Sequence, residues 1–494
     1  MAIPKVMGTE LEYGITVKGD PDFDPISGCV LLVNAYHEDH AGEILWDYDQ
    51  ENPLADARGF QVDGEKYTPN QQENIARNKT LINGARYYVD HAHPEYSCPE
   101  VSSLKDLVRH EKAGERILEA SRREANTLLP DGTQMLLYKN NSDRKGNSYG
   151  SHENYLMDRR TSFKQIVEHL MSFFVTRQVF CGAGKVGSEN RSQACDYQIS
   201  QRSDFFETEV ALDTMVKRPI INTRDEPHAD REKYRRLHVI VGDANLSEYT
   251  IYLRNGVTAI ILSMIEDGAV TRDLAMRDPV QAIKQVSMDP TCKQKLQLGN
   301  GKRLTAVEVQ SEFLEMALQY YSQSDTDPEI RDVLEKWQHA LECLARDPME
   351  LNTRIDWVMK KAMMESFMDR KSMDWSAPEV SMLDLQYHDL RPDKGLYYLL
   401  ERQGRAERIV TDEEITAAIV QPPTDTRAFF RGECLKRYGD AVFGVNWDSI
   451  SFSVGDEPIK RILMAEPLKG SQKHVGDLLD SSETASELVN NLRT

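Results

Sequence analysis

The chain has 494 residues, 80 of them acidic and 60 basic, giving a net charge of −20. That balance excludes a general nucleic-acid or membrane-surface binder, because both need net or clustered positive charge, though it is compatible with a local basic groove. Hydrophobic residues make up 40% and charged residues 28%, as in a soluble globular protein with a sizeable core, and the longest apolar run, Val257 to Ile265, is far short of the ~20 residues of a bilayer span.

The opening Met1-Ala-Ile-Pro-Lys-Val lacks a basic stretch followed by an apolar one, so no signal peptide is expected. Residues Lys5 to Val17 read as strand, and Glu10 and Glu12, two apart, then share a face. Residues His37 to Lys79 carry ten acids against four bases, with Ile44-Leu45-Trp46 as the one compact apolar island. A segment this polar buries too little apolar area to offset its ordering entropy, which predicts a long mobile insertion rather than a packed element. Asn83-Gly84 marks a turn, and the run to Asp90 reads as strand. Arg86, Tyr88 and Asp90 fall on one face of it, and Ala85, Tyr87 and Val89 on the other.

Helical text follows over Val108–Leu129, strands over Gln134–Lys139 and Tyr149–Leu156, and a helix over Ser162–Gln178. Strand-like runs recur at Val210–Val216 and Leu237–Val241. Amphipathic helices are predicted over Ala306–Tyr321, Glu329–Arg346 and Leu351–Arg370. Beyond Gln421-Pro-Pro-Thr lie short strand-like pieces and a polar tail, so a large unit, 1–415, and a small one, 416–494, are expected. The seven cysteines form no C-x-x-C pair and read as reduced thiols, which predicts a cytoplasmic protein.

Four groups could carry chemistry. Glu10 and Glu12, with Asp90 and Glu95, offer hard oxygen ligands suited to Mg²⁺ or Mn²⁺; the same spacing fits a solvated strand face. In Asp90-His-Ala-His-Pro-Glu95, an aspartate near Arg86 stays ionised and could act as base or nucleophile, or form a structural cross-strand pair. His152 and Asn154 alternate onto one face and could serve a metal or a phosphate, or be structural. The densest basic stretch runs through Arg202, Arg218, Arg224, Arg231, Lys233, Arg235 and Arg236 to His238. Guanidinium forks match phosphates and carboxylates, although a solvated run would look alike. Gly182-Ala-Gly-Lys-Val-Gly187 is not a Walker A loop, since Val179 and Val186 stand where the motif needs Gly and Ser or Thr.

Taken together, Met7-Gly-Thr-Glu10-Leu-Glu-Tyr-Gly14, Gly84-Ala-Arg-Tyr-Tyr-Val-Asp90-His-Ala-His-Pro-Glu-Tyr-Ser97, Tyr149-Gly-Ser-His-Glu-Asn-Tyr155, Lys217-Arg-Pro-Ile-Ile-Asn-Thr-Arg224 and Tyr234-Arg-Arg-Leu-His-Val-Ile-Val-Gly-Asp-Ala-Asn245 resemble the Pup ligase and depupylase family, in order and over nearly the whole chain. That family resembles carboxylate–amine ligases of the glutamine synthetase type. The resemblance implies an α+β fold: a curved antiparallel sheet backed by helices and cradling ATP and Mg²⁺, plus a small C-terminal domain. The acidic insertion and the short Asp90-His-Ala-His-Pro-Glu spacing resemble the depupylase branch. Cys98 stands where the ligase branch usually has a nucleotide-contacting threonine.

By the same resemblance Glu10, Tyr88 and Glu95 would ligate Mg²⁺, with His152, Asn154 and His238 as further candidates. Arg86 would reach the nucleotide phosphates, Gly8, Thr9 and Arg218 would border the nucleotide, and Trp447 would pack on it. The implied activity is deamidation of the C-terminal Gln of Pup to Glu and hydrolysis of the isopeptide bond between Pup and a target lysine. Asp90 would be nucleophile or base, and ATP a bound cofactor, since amide hydrolysis is downhill. Pup is acidic, so Arg202, Arg235 and Arg236 are expected in a local basic groove or in the pocket for carboxylate and phosphate. The rival readings are a ligase forming the same bond with ATP hydrolysis and a silent ATP-binding regulator.

Overall fold

The computed structural model describes residues 1–38, 44–49, 51–64, 68–322 and 326–492. The fold is α+β. Its central sheet takes strands β1 (Met7–Glu12), β2 (Asn78–Thr80), β3 (Arg86–Asp90), β4 (His93–Ser97), β5 (Ser151–Asp158) and β6 (Tyr234–Val239) in the order β6-β5-β1-β4-β3-β2. Every neighbouring pair is antiparallel.

Period-2 alternation decides what each face does. One face carries Leu11, Tyr87, Val89 and Tyr96, packed with Leu32 and Val33 of the helix Pro25–Asn34 and with Ile117 and Leu118 of α1 (Leu104–Leu128). Met7, Tyr155, Met157, Leu237 and Val239 pack in a larger cluster with α2 (Phe163–Cys181) and α3 (Glu248–Glu266). Full burial of such side chains stabilises by ~1.5–3 kcal/mol each, which pins the register. Glu153, on this same buried face, is held by Arg177 through two hydrogen bonds of 2.7 and 2.9 Å. The opposite face is left to polar side chains.

A small C-terminal body covers one end of that polar face. It pairs the strands Val442–Asn446, Ser449–Phe452 and Lys460–Leu463, and Phe430, Leu435, Val445, Ile450 and Phe452 make its core. Gly84, in the turn before β3, has φ +83°, and a Cβ there would meet the Ala428 carbonyl oxygen at 3.1 Å. Only glycine lets the two bodies approach so closely.

Four expectations need correction. First, the described residues of the acidic insertion do contain packed elements. Leu45–Trp46 adds a parallel strand to the small sheet, Gln71–Arg77 is helical, and Asn74 clasps the Trp46 backbone at 3.0 and 2.8 Å. The segment buries little of itself but borrows surface from the C-terminal body. Its acids at 39, 43 and 65 lie outside the described residues. Second, the strand expected over Val210–Val216 runs over Phe206–Ala211 instead, because Asp213 caps the Met215 and Val216 amides and turns the chain away. Third, the polar tail forms helices Gln472–Asp480 and Ala485–Asn491, the latter started by a Thr484–Glu487 capping box and anchored by buried Leu488 and Val489. Fourth, Val257–Ile265, noted above only as an apolar run, lies in the buried helix α3.

Candidate active site

The polar face of the sheet floors a cavity of about 610 Å³. Glu10, Glu12, Tyr88, Asp90, Glu95, His152, Arg236 and His238 line it from the strands. Cross-strand register explains the grouping: Glu10 lies opposite His152 and Ser97, Glu12 opposite Glu95, Tyr88 opposite Glu95, and Asn154 opposite His238.

Two clusters of metal-ligating side chains, one of a glutamate with two histidines and one of three carboxylates, lie on this floor. In the first, Glu10, His152 and His238 bring ligand atoms within 4.8 Å of one another. Asn154 Nδ2 donates to Glu10 at 2.8 Å, and His152 Nδ1 lies 3.5 Å from its other oxygen. Burial alone would raise the Glu10 carboxyl, but the His152 hydrogen bond and the charge of Arg236 hold it well below the usual range. His238 is driven the other way by burial, which keeps its ring neutral, and its Nε2 has no hydrogen-bond partner among the described residues. A neutral imidazole with a vacant lone pair is what a metal needs.

In the second cluster Glu12, Asp90 and Glu95 converge within the same 4.8 Å limit. Glu12 has His93 Nδ1 at 3.3 Å. Glu95 is pushed far above the carboxylate range by burial and then by Asp90, Glu10 and Glu12. So much negative charge, made of hard oxygens, fits Mg²⁺ or Mn²⁺. Asp90 differs in its access: its side chain is 37% exposed, with His91 Nδ1 at 3.0 Å.

Arg86 is fixed from all sides. Its Nε and Nη2 donate to Asn78 Oδ1 at 3.1 and 2.6 Å, and Nη2 also reaches the Tyr48 hydroxyl at 3.1 Å. The Tyr88 and Trp46 rings lie 3.8 and 3.9 Å from its guanidinium carbon. Trp46, Tyr48 and Glu51, whose carboxylate is 3.8 Å from Arg86, all come from the insertion and were not among the expected site residues. The apolar island around Trp46 was the one sequence signal for them.

The basic stretch divides. Arg236 donates to Asn154 Oδ1 at 2.7 Å and to the Glu226 carbonyl at 2.7 Å. Arg202 and Arg218 line the cavity. Arg202 donates to the Ile240 and Gly242 carbonyls, and burial, with Arg218 nearby, pushes it down to about 10. Arg218 donates to the Ser148 carbonyl at 2.6 Å. Arg235 is not brought to the cavity: one residue from Arg236 on β6, it points to the core face, 5.4 Å from the Phe163 ring. A second, apolar pocket of about 90 Å³ adjoins the cavity, sharing Glu10, Arg236 and Trp447 with it. Gly8, Thr9, Cys98 and Asn154 line that pocket, with Thr9 Oγ1 and Cys98 Sγ 3.2 Å apart.

A family model described as Pup-ligase protein matches residues 5–451. The chain belongs to the Pup-ligase protein family. Among family relatives, the depupylase of Acidothermus cellulolyticus is 51% identical, over 98% of each chain. The Pup deamidase/depupylase of Mycolicibacterium smegmatis is 46% identical, over 99% of each. Two solved Pup-ligase structures share the fold. The ligase PafA in complex with prokaryotic ubiquitin-like protein Pup superimposes with a TM-score of 0.81 at 32% identity, covering 97% of this chain and 92% of that one. PafA in complex with ADP gives 0.75 at 34% identity, covering 87% and 97%. Among the described residues no helix is long and apolar enough to cross a membrane.

Proposed function

We propose that this chain hydrolyses the amide at the γ-carbonyl of Pup's C-terminal residue. It deamidates the terminal Gln to Glu and cuts the isopeptide bond that joins this Glu to a lysine of a target protein. One observation carries the reading: Asp90, alone of the floor's clustered carboxylates, is more than a third open at 37% side-chain exposure and stands beside buried Glu95. Relatives named depupylase and Pup deamidase/depupylase align with 98–99% of the chain.

Both reactions replace nitrogen by oxygen on one carbonyl, so a single site serves both. The Asp90 carboxylate either attacks the γ-carbonyl carbon or takes the proton of the water that does. The nitrogen then leaves with a proton, as ammonia or as the lysine amine, and one water is consumed overall. Arg202 and Arg218 put fixed positive charge on the same cavity for the developing oxyanion.

Glu10, Tyr88 and Glu95 are the residues we assign to a divalent cation, with His152, Asn154 and His238. The small pocket at Gly8, Thr9 and Trp447 suits a nucleotide base, and Arg86 its phosphates. That the PafA neighbour is solved in complex with ADP supports the binding of a nucleotide. Bound cation and nucleotide supply electrostatic stabilisation of negative charge.

The test is mass spectrometry of Gln-ended Pup after incubation with protein, Mg²⁺ and ATP, beside release of target from a pupylated protein. We expect the mass gain of amide-to-acid conversion and free target. Loss of neither bond, or net conjugate and ADP from Glu-ended Pup and a lysine substrate, overturns the reading, the second outcome in favour of a ligase.

A further inference from the structure

The two substrates share an acyl half and differ in the nitrogen that leaves: ammonia in one, a lysine side chain on a whole protein in the other. A residue touching the acyl half affects both reactions alike. A residue touching only the leaving group separates them.

The loop joining the parallel strands Phe206–Ala211 and Arg218–Asn222 reaches the large cavity with Thr214 and Met215. Asp213 Oδ1 accepts from the Met215 and Val216 amides at 2.7 and 3.0 Å, Lys217 follows with φ +51°, and Thr208 Oγ1 donates to the Lys217 carbonyl at 3.0 Å. The loop is held in shape, yet it displays two large apolar side chains, Met215 at 56% and Val216 at 64% exposure. Folding gains nothing from leaving them in water.

Met215 lines the large cavity together with Asp90, but not the small pocket at Trp447. Most residues lining the large cavity are polar; Leu54, with Pro53 and Pro69, adds apolar surface to it from the insertion. A lysine joined at the reacting carbonyl must run from Asp90 out to the target's surface, and its stem is four methylenes with no hydrogen-bonding group. An unbranched thioether at the open rim can pack on such a stem whatever protein carries it.

We propose that Met215 determines specificity for the leaving group by packing on the alkyl stem of the departing lysine. The inference rests on the depupylase reading above. Ammonia has no stem, so deamidation is the internal reference.

The experiment uses full-length protein and a series of Pup γ-amides: of ammonia, methylamine and butylamine, and of a lysine on a folded protein. In the wild type kcat/KM rises with alkyl length, by up to about fourfold for each methylene fully buried. In Met215→Ala this dependence flattens and the ratio of isopeptide to terminal-amide kcat/KM falls. Met215→Leu, similar in volume and still apolar, restores it. A ratio and a length dependence unchanged by Met215→Ala, whether both rates fall or neither does, overturn the inference and leave the depupylase reading intact. A wild type that cleaves none of the amides overturns the depupylase reading, and this inference with it.

Discussion

Trp46 stacks on Arg86, its ring centre 3.9 Å from the guanidinium carbon, although the two residues come from segments of opposite character. Trp46 belongs to the acidic insertion and also meets Trp447 of the C-terminal body edge-on, at 5.4 Å between ring centres. The insertion therefore links the arginine proposed for the phosphates to the tryptophan proposed for the nucleotide base. A desolvated cation–π contact contributes about 2 kcal/mol, so Trp46→Ala is expected to weaken ATP binding up to roughly 30-fold, and Trp46→Phe much less. Titration calorimetry measures both. Equal affinity in wild type and Trp46→Ala would show that Arg86 holds its place without the insertion.

Asp90→Asn keeps the shape of the side chain and removes its basicity and nucleophilicity. Deamidation and isopeptide cleavage should fall together by ~10²–10⁴-fold, with little change in Tm, because the side chain is partly open and, among the described residues, its close polar contact is His91. Single turnover in ¹⁸O-water tests the nucleophile: label in the Asp90 peptide marks an anhydride opened at the Asp90 carbonyl. Label in the new Glu of Pup arises both from a base and from an anhydride opened at the Pup carbonyl, and hydroxylamine trapping of the anhydride then tells these two apart. An Asp90→Asn enzyme that loses one activity and keeps the other would contradict a shared site.

Much of the site was legible because strand periodicity is short and strict. Glu10 with Glu12, Arg86 with Tyr88 and Asp90, and His152 with Asn154 are each two apart, and all of them face the cavity or its adjoining pocket. Arg235 and Arg236 were grouped by charge, a property that alternation ignores, and the strand sends them to opposite faces. Helix α3 escaped for the opposite reason. From Tyr249 to Val257 every residue is buried, so no polar stripe marks a helical period. The insertion misled because composition counts only what a segment can bury in itself. The partners of Trp46, at Arg86 and Trp447, lie far along the chain, and long-range pairing leaves no local trace.

Glu100 joins the C-terminal body to the sheet. Arg427 Nε and Arg431 Nη1 donate to its Oε1 at 2.7 and 3.1 Å, and Arg431 also donates to the Gly84 and Trp447 carbonyls at 2.9 and 3.0 Å. Burial would raise this carboxyl, but the Arg431 and Arg427 charges outweigh it and carry it from 4.5 to about 2. The pair's contribution is therefore fully present above pH 4.5 and disappears as pH falls towards 2. That shift corresponds to about 3 kcal/mol. Glu100→Gln should lower urea stability by about that much at neutral pH, and the gap from wild type should narrow at pH 4 and below. A gap independent of pH would mean that the ion pair contributes shape and not charge.

Glu95 is the converse case. Burial, and then repulsion from Asp90, Glu10 and Glu12, lift its carboxyl far above 4.5, so without a cation the ionised group opposes folding at neutral and higher pH. Glu95→Gln removes that opposition and should raise Tm in EDTA. A divalent cation reverses the order: a ligand at 100 times its Kd stabilises by about 2.7 kcal/mol, and the variant, short of one anionic oxygen donor, should gain less. Thermal melts of both proteins in EDTA and across a Mg²⁺ or Mn²⁺ series are expected to cross. Parallel curves, or a wild type whose Tm ignores the cation, would remove Glu95 from the metal site. A crossing would tie the crowding of these carboxylates to a bound cation.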